Sequence, residues 1–299
     1  MPKRRLILFG AYGFVGRVLT RLAEQDGAWE VRAMGSDDLN LLNPSCVRQI
    51  GNEAGPEVTL LMLAAIGRDR SDSLESAQAN LTMGVHLAKV IRDYGAARCL
   101  FVSSASVYGE ACSQTITEET PLHPDSYYAV SKYATERLLQ RVTAEKGVPL
   151  VIVRPCRIYG PNDERATYGP SRFIRSVIQE RRVELYGDGA ELRDHLFVED
   201  AARLMLQMAG GGPEGVFNLA SGQSESFRSM LDLLRQIYPT DFELVSRPRS
   251  RPAIDLRYDT RKLRGAVGEF RLISLKEGIE KTVDAEKSAS LETQEPVSS

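Results

Sequence analysis

The sequence has few of the residues that build metal or redox centres. It carries four cysteines, Cys46, Cys99, Cys112 and Cys156, and none of their spacings is that of a zinc site or a reactive dithiol. Cys99 and Cys156 fall in apolar, strand-like runs and read as core thiols. Of the three histidines, His123 and His195 have no metal-like partners and His86 falls in the middle of a helix, so no metal is expected. Cysteines without paired spacing fit a reducing compartment, and a cytoplasmic location is expected. Long apolar runs are missing too. The longest, "LLMLAAI" at 60–66, is far below the roughly 20 residues that a membrane-spanning helix requires. The basic start "MPKRRLILFG" loses its apolar character at Gly10 and continues into a motif, which does not read as a signal peptide. Nor is there an excess of one charge. A formal net charge of −2 creates no field to gather nucleic acid or anionic lipid, and neither is expected as a partner. One basic cluster, "RPRSR" at 247–251, leaves room for a local anion contact.

What remains is the composition of a soluble globular protein, 42% hydrophobic and 26% charged, in a chain of 299 residues that can form one large domain or two modest ones. Residues 4–9 read as a buried strand, followed by an amphipathic helix closed by Gly27. "WEVRAMG", "PEVTLLMLAA", "RCLFVSSAS" and "PLVIVRP" read as four more strands, each separated from the next by helical sequence. The long helix before "RCLFVSSAS" places Leu74, Ala77, Leu81, Val85, Ala88 and Ile91 on one face. Continuous apolar strands alternating with helices predict an α/β fold, a doubly wound parallel sheet covered on both sides. After about residue 165 the rhythm breaks, and a smaller mixed lobe is expected. The predicted organisation is a dinucleotide-binding domain over 1–165, with later segments returning to it, and a mainly substrate-binding lobe over 166–283. The tail at 284–299 lacks periodicity and is expected to be disordered.

Gly10, Gly13 and Gly16 lie three apart in "FGAYGFVG", directly between the first strand and the first helix. Glycines there permit a tight turn, close approach of backbone to a pyrophosphate, and close helix–strand packing. The free N–H groups and partial positive charge of the helix start suit phosphates. A dinucleotide site is therefore expected. Strand two ends "RAMGSDD", where an acidic residue would hold the adenosine ribose; Gly35 and Ser36 stand there, with Asp37 beyond. The cofactor is left open between NAD and NADP. Its expected contacts are Gly10, Tyr12, Gly13, Phe14, Val15 and Gly16, then Ser36, Asp38 and Leu39, and Leu63, Ala64 and Ala65 after strand three.

In "SYYAVSK", Tyr128 and Lys132 are four apart and share a helix face, whereas Tyr127 pairs in that spacing with the uncharged Ser131. An ammonium beside a phenol favours phenolate and lowers its pKa from about 10. Such a phenol can move a proton to or from a substrate oxygen. Taken alone, the pair is equally compatible with a solvated helix face. Ser103 and Ser104, however, end the fourth strand at the carboxyl edge where ligands of such sheets bind.

The motifs "GAYGFVG", "SSASVYG", "YYAVSK", "RPCRIYGP" and "RDHLFVEDAA" occur in the order and spacing of the extended short-chain dehydrogenase/reductases. The chain resembles their nucleotide-sugar epimerase/dehydratase branch from about residue 4 to 283. That resemblance implies NAD or NADP as cofactor, a nucleotide sugar as substrate, and Tyr128 as acid/base. It also implies that Lys132 tunes the phenol and holds the nicotinamide ribose, that Ser104 orients the reacting oxygen, and that helices 74–94 and 128–145 pair in a homodimer. Ser106, Arg157, Tyr186, Arg193 and Arg251 are the residues it assigns to substrate, with Arg193 and Arg251 as grips for a diphosphate and Tyr186 as a face for the base. Departures from the branch narrow the reaction. Ala105 and Ser106 stand where the related dehydratases carry an Asp-Glu pair, so dehydration is not expected. Asn162 replaces the histidine of GDP-fucose synthases, Arg157 a common asparagine and Met62 a common histidine. Epimerisation through a keto sugar is expected first and 4-ketoreduction second; reduction of a non-nucleotide carbonyl, or cofactor binding without turnover, are the rival readings.

Overall fold

The computed structural model describes residues 2–109, 114–166, 169–249 and 252–292. In chain order the first half comprises β1 (Arg4–Phe9), α1 (Phe14–Asp26), β2 (Trp29–Met34), α2 (Cys46–Gly51), β3 (Val58–Met62), α3 (Leu74–Tyr94), β4 (Arg98–Val102), a short 3-10 turn (Ala105–Tyr108), α4 (Tyr127–Lys146) and β5 (Leu150–Pro155). The second half comprises β6 (Arg157–Tyr159), α5 (Gly169–Glu180), β7 (Arg182–Tyr186), β8 (Leu192–Phe197), α6 (Val198–Ala209), β9 (Gly215–Leu219), β10 (Ser224–Ser226), α7 (Phe227–Ile237), β11 (Glu243–Arg247), α8 (Arg261–Val267) and α9 (Leu275–Glu292).

Six parallel strands form the main sheet in the order β2-β1-β3-β4-β5-β9. Alternate residues of each strand enter opposite cores. Leu6, Leu8, Leu61, Leu100 and Val151 face α1 and α6, while Ile7, Phe9, Leu60, Met62, Cys99 and Phe101 face α3 and α4. Burial on both faces is why these strands read as unbroken apolar runs. Met62 and Cys99 are core residues, 2% and 0% exposed. The chain leaves β1 toward β2 and then returns to the other side of β1 for β3. That reversal opens a crevice above the carboxyl ends of β1 and β3, the place where open α/β sheets bind ligands.

The face that α3 buries differs from the one its apolar spacing suggests. Ser76, Asn80, Met83, Leu87, Val90 and Ile91 point inward, Leu81, Val85 and Ala88 are half-buried, and Leu74 is 63% exposed. Two positions, one polar and one a glycine, decide the rotation. Asn80 both accepts from the Ile66 N–H at 2.8 Å and donates to its carbonyl at 3.0 Å. A Cβ on Gly84 would lie 2.6 Å from the Thr135 side chain, so α3 and α4 meet there without one.

The later segments divide between two bodies. β9 joins the main sheet and α6 packs on α1, whereas β10-β8-β6 and β11-β7 form two small sheets in the second lobe. Helix α9 runs to Glu292, through the first part of the segment expected to be disordered. Ile279 and Val283 are 1% exposed in the lobe core, and Glu286 bonds Arg175 at 2.8 Å. The remaining residues of that predicted tail, and Cys112, lie outside the described residues.

His195 on β8 is 8% exposed, edge-on to Tyr159 and Phe227, and neither of its ring nitrogens has a hydrogen-bond partner. Burial, with Arg157 and Arg193 nearby, pulls its pKa from 6.5 to about 3. The unfolded chain therefore takes up a proton that the folded one refuses, and this histidine makes stability fall as pH drops from 6.5 toward 3. Thermal melts between neutral pH and about pH 4.5 should accordingly show a shallower loss of Tm in His195→Phe than in the wild type. Parallel curves would mean that the ring is not buried in its neutral form.

Candidate active site

The crevice is floored by the turn between β1 and α1. Backbone bonds knit it to both neighbouring strands: Gly10 N–H donates to Met34 O at 2.9 Å, and Leu63 and Ala64 N–H donate to Phe9 O at 2.9 and 3.0 Å. Gly10 has φ +84°, and a Cβ on it would lie 2.7 Å from Ala64 N. A Cβ on Gly16 would come within 2.1 Å of Gly10 O. Both glycines are thus required by packing. Gly13 is different, because its Cβ would meet nothing nearer than Gly10 O at 3.4 Å. It opens helix α1 with no side-chain cap and no acidic residue in the first turn, so backbone donors face the crevice. That open cradle fits a dinucleotide pyrophosphate.

The other expected cofactor contacts surround this turn. Tyr12 is 56% exposed; its ring lies over Gly35 and its hydroxyl is close enough to Asp38 to feel its charge. Asp38 accepts from Gly35 N–H at 2.9 Å, and that bond, with the Tyr12 hydroxyl nearby, holds its carboxyl below the usual range. Ser36 donates to Asp37 at 3.4 Å. Phe14 and Ala65 are half-buried, Val15 and Leu63 pack against one core, and Leu39 belongs to the other at 8% exposure.

The residues expected to react lie at the carboxyl end of β4. Ser104 caps the 3-10 turn, its oxygen accepting from Ser106 N–H at 3.1 Å and from Ser106 Oγ at 2.9 Å. The same serine lies near the Tyr128 hydroxyl and favours its ionised form. Tyr127, 50% exposed, points away. Lys132 is 4% exposed; its ammonium donates to Val102 O at 2.7 Å and lies 5.7 Å from the centroid of the Tyr128 ring. The electrostatics depart from the expectation drawn from spacing. Burial outweighs the opposing influence of Ser104 and pushes the Tyr128 phenol up to about 12. Burial also pulls Lys132 down to about 8, against the opposing charge of Glu136. Helical spacing brings the two side chains onto one face, but the ammonium is bonded to a carbonyl beneath the ring rather than to the phenol oxygen.

Several supporting residues were not evident from motif spacing. Asp72 accepts from Tyr128 N–H at 2.9 Å and so pins the start of α4. Asn80 reaches Ser131 Oγ at 3.5 Å from the α3 side. Asp69 and Arg165 form a 3.0 Å ion pair whose charges both act on Tyr128. Only the acid at 72 carried a signal in the sequence, as a polar break before a helix.

In the second lobe, β6 and β8 place Arg157 beside His195 in register. Arg193, with a side chain 13% exposed, donates to the carbonyls of Leu192 and Ile254 and lies 3.6 Å from Glu191, while its Nε has no partner. Tyr186 is 56% exposed at the end of β7. Arg247 and Arg249 of the basic cluster are engaged by Glu184 and Glu191, so that part of the cluster is not a free anion site. Arg251 lies outside the described residues. No group of His, Cys, Asp and Glu suited to a metal occurs among the described residues.

Comparison with known proteins gives the family of the chain. Residues 6–231 match the family model of the NAD dependent epimerase/dehydratase family. The chain is 28% identical over 310 residues to a UDP-glucose 4-epimerase of Mycolicibacterium smegmatis, covering 94% of this chain and 97% of that one. It is 29% identical over 275 residues to a GDP-6-deoxy-D-mannose reductase of Pseudomonas aeruginosa, covering 88% of each. Among solved structures, RMD from Pseudomonas aeruginosa in complex with NADPH superposes with a TM-score of 0.84 at 25% identity, over 96% of this chain and 100% of that one. The chain belongs to the NAD dependent epimerase/dehydratase family and is an NAD(P)-dependent enzyme of the extended short-chain dehydrogenase/reductase type.

Proposed function

We propose that the protein is a nucleotide-sugar epimerase that oxidises a sugar carbon to a ketone and returns the hydride to the opposite face. The observation that carries this reading is the proximity of Ser104 to the Tyr128 phenol at the carboxyl end of β4, beside the glycine cradle. The nicotinamide dinucleotide supplies the hydride chemistry when bound. Tyr128 exchanges the proton of the sugar oxygen, and Ser104, steadied by Ser106, orients that oxygen. Lys132 holds the nicotinamide ribose. The Asp38 carboxylate after β2 favours ribose hydroxyls over a 2′-phosphate, hence NAD over NADP. Ala105 and Ser106 offer no strong acid or base for eliminating water. Arg193, with an unpartnered Nε, supports a diphosphate contact, and Arg157 stands on the neighbouring strand. Leu74, Val130 and Leu138, 63%, 49% and 38% exposed on α3 and α4, support pairing of these helices in a homodimer.

A 4-ketoreductase is the second reading. It is favoured by the phenol's high pKa, which keeps Tyr128 protonated and ready to donate, and by the similarity to the mannose reductase. The cofactor balance separates the two. An epimerase turns over with catalytic NAD, whereas a reductase consumes reduced cofactor in step with product.

Three outcomes are expected. Gly13→Val should lower nicotinamide dinucleotide affinity at least tenfold in calorimetric titration while leaving Tm within about a degree of the wild type, because its Cβ has room only on the ligand side. Gly16→Val should instead lower Tm, since its Cβ would overlap Gly10 O. UDP, dTDP or GDP should raise the Tm of the cofactor-loaded protein, and Arg193→Ala should remove most of that shift. No shift with any nucleotide would favour a non-nucleotide carbonyl substrate. Finally, Tyr128→Phe should reduce turnover by about two to four orders of magnitude and Tyr127→Phe far less. Equal losses would remove Tyr128 from the centre of the mechanism.

A further inference from the structure

Behind the reacting groups lies a buried ion pair that hydride transfer does not itself require. Arg154 of β5 and Glu136 of α4 bond bidentately, at 2.7 and 3.1 Å, with side chains 5% and 1% exposed. Withdrawing both charges from water costs several kcal/mol per ion, and apolar side chains of similar volume would join β5 to α4 at least as well. The pair's other bonds indicate what it holds. Glu136 accepts from the hydroxyl of Ser103, the residue directly before Ser104. Arg154 donates to the hydroxyl of Tyr108 at 3.0 Å, and Tyr108 ends the turn that Ser104 caps. The turn bearing Ser104 is therefore held at both ends by one ion pair. On α4, Glu136 stands four residues beyond Lys132, which stands four beyond Tyr128, so all three share a face.

We propose that the Glu136–Arg154 pair is a positioning device for the reaction: it fixes the Ser104 turn against the Tyr128–Lys132 face of α4, and its carboxylate is the counter-charge to the buried Lys132 ammonium. The inference rests on the assignment of Ser104, Tyr128 and Lys132 as the reacting set, and not on the sugar. The surroundings of Lys132 leave this role to Glu136. Tyr128 on α4 and the Val102 carbonyl of β4 face the ammonium without bringing a negative charge, and β5 contributes Arg154. From α3, Asn80 reaches Ser131, and Asp69 and Arg165 act on Tyr128 as an ion pair. Glu136 is the charged group that opposes the effect of burial on Lys132.

The test needs no substrate in its first arm. In protein carrying isotope-labelled lysine, the Lys132 resonance is identified by its loss in Lys132→Met, and its titration midpoint is expected near 8. Glu136→Gln should lower that midpoint by about one pH unit or more. This single variant strands the Arg154 charge at a cost that can prevent folding, so Glu136→Gln combined with Arg154→Met serves as the second. It strands no guanidinium, still removes the counter-charge of Lys132, and should also lower the midpoint. With any substrate that turns over, both variants should lose kcat by up to about 100-fold at unchanged dinucleotide affinity. A folded double variant with the wild-type Lys132 midpoint would overturn the proposal and leave the pair a packing element. A lowered midpoint in a protein that turns over no nucleotide sugar would uphold it while the substrate reading fails.

Discussion

The molecule depends on one close approach, that of helix α1 to the end of β1. With the Gly10 carbonyl 2.1 Å from where a Gly16 Cβ would sit, the helix can rise from the strand only if no side chain stands between them. That contact aims the open first turn of α1 at the crevice where strand order reverses. It leaves Gly13 as the one glycine of the three whose missing side chain makes room for a ligand rather than for the protein. Packing and binding are thus divided among three residues at a fixed spacing.

The side chains proposed to react are placed by a different kind of force. Ser104, Tyr128 and Lys132 come from two elements joined by a long connection, and polar contacts bring them into register: Asp72 at the start of α4, Asn80 at Ser131, and Glu136 with Arg154 beneath the serine turn. Those of these polar groups that are buried are costly unless every partner is present. The same burial shifts the ionisable groups among them. The high phenol and low ammonium pKa values of Tyr128 and Lys132 follow from that burial.

Much of this was legible in the sequence. The main sheet could be read because strands buried on both faces become continuous apolar runs, and the glycine turn because its spacing is forced by geometry. The inward face of α3 could not be read from apolar spacing, since Ser76 and Asn80 occupy it for their hydrogen bonds while Leu74 lies outside. Helix α9 was hidden because Ile279, Val283 and Glu286 matter only once Arg175 and the lobe core are beside them. The influence of Lys132 on Tyr128 was overestimated because spacing along a helix fixes which face a side chain shares and not where its charged end bonds. The link from Glu136 to Arg154 joins two elements and carries no local pattern at all.

On the proposed reading, this crevice passes a hydride between a nicotinamide and a sugar carbon while Tyr128 handles the proton. Mixing NAD-loaded protein with UDP-, dTDP- and GDP-hexoses and following the absorbance of reduced nicotinamide tests it most directly. The account predicts that at least one nucleotide sugar produces enzyme-bound reduced cofactor in the wild type, and that the same mixture with Tyr128→Phe stays oxidised on the same timescale. Reduction at equal rates in both proteins, or none with any nucleotide sugar in protein shown to hold NAD, would contradict it.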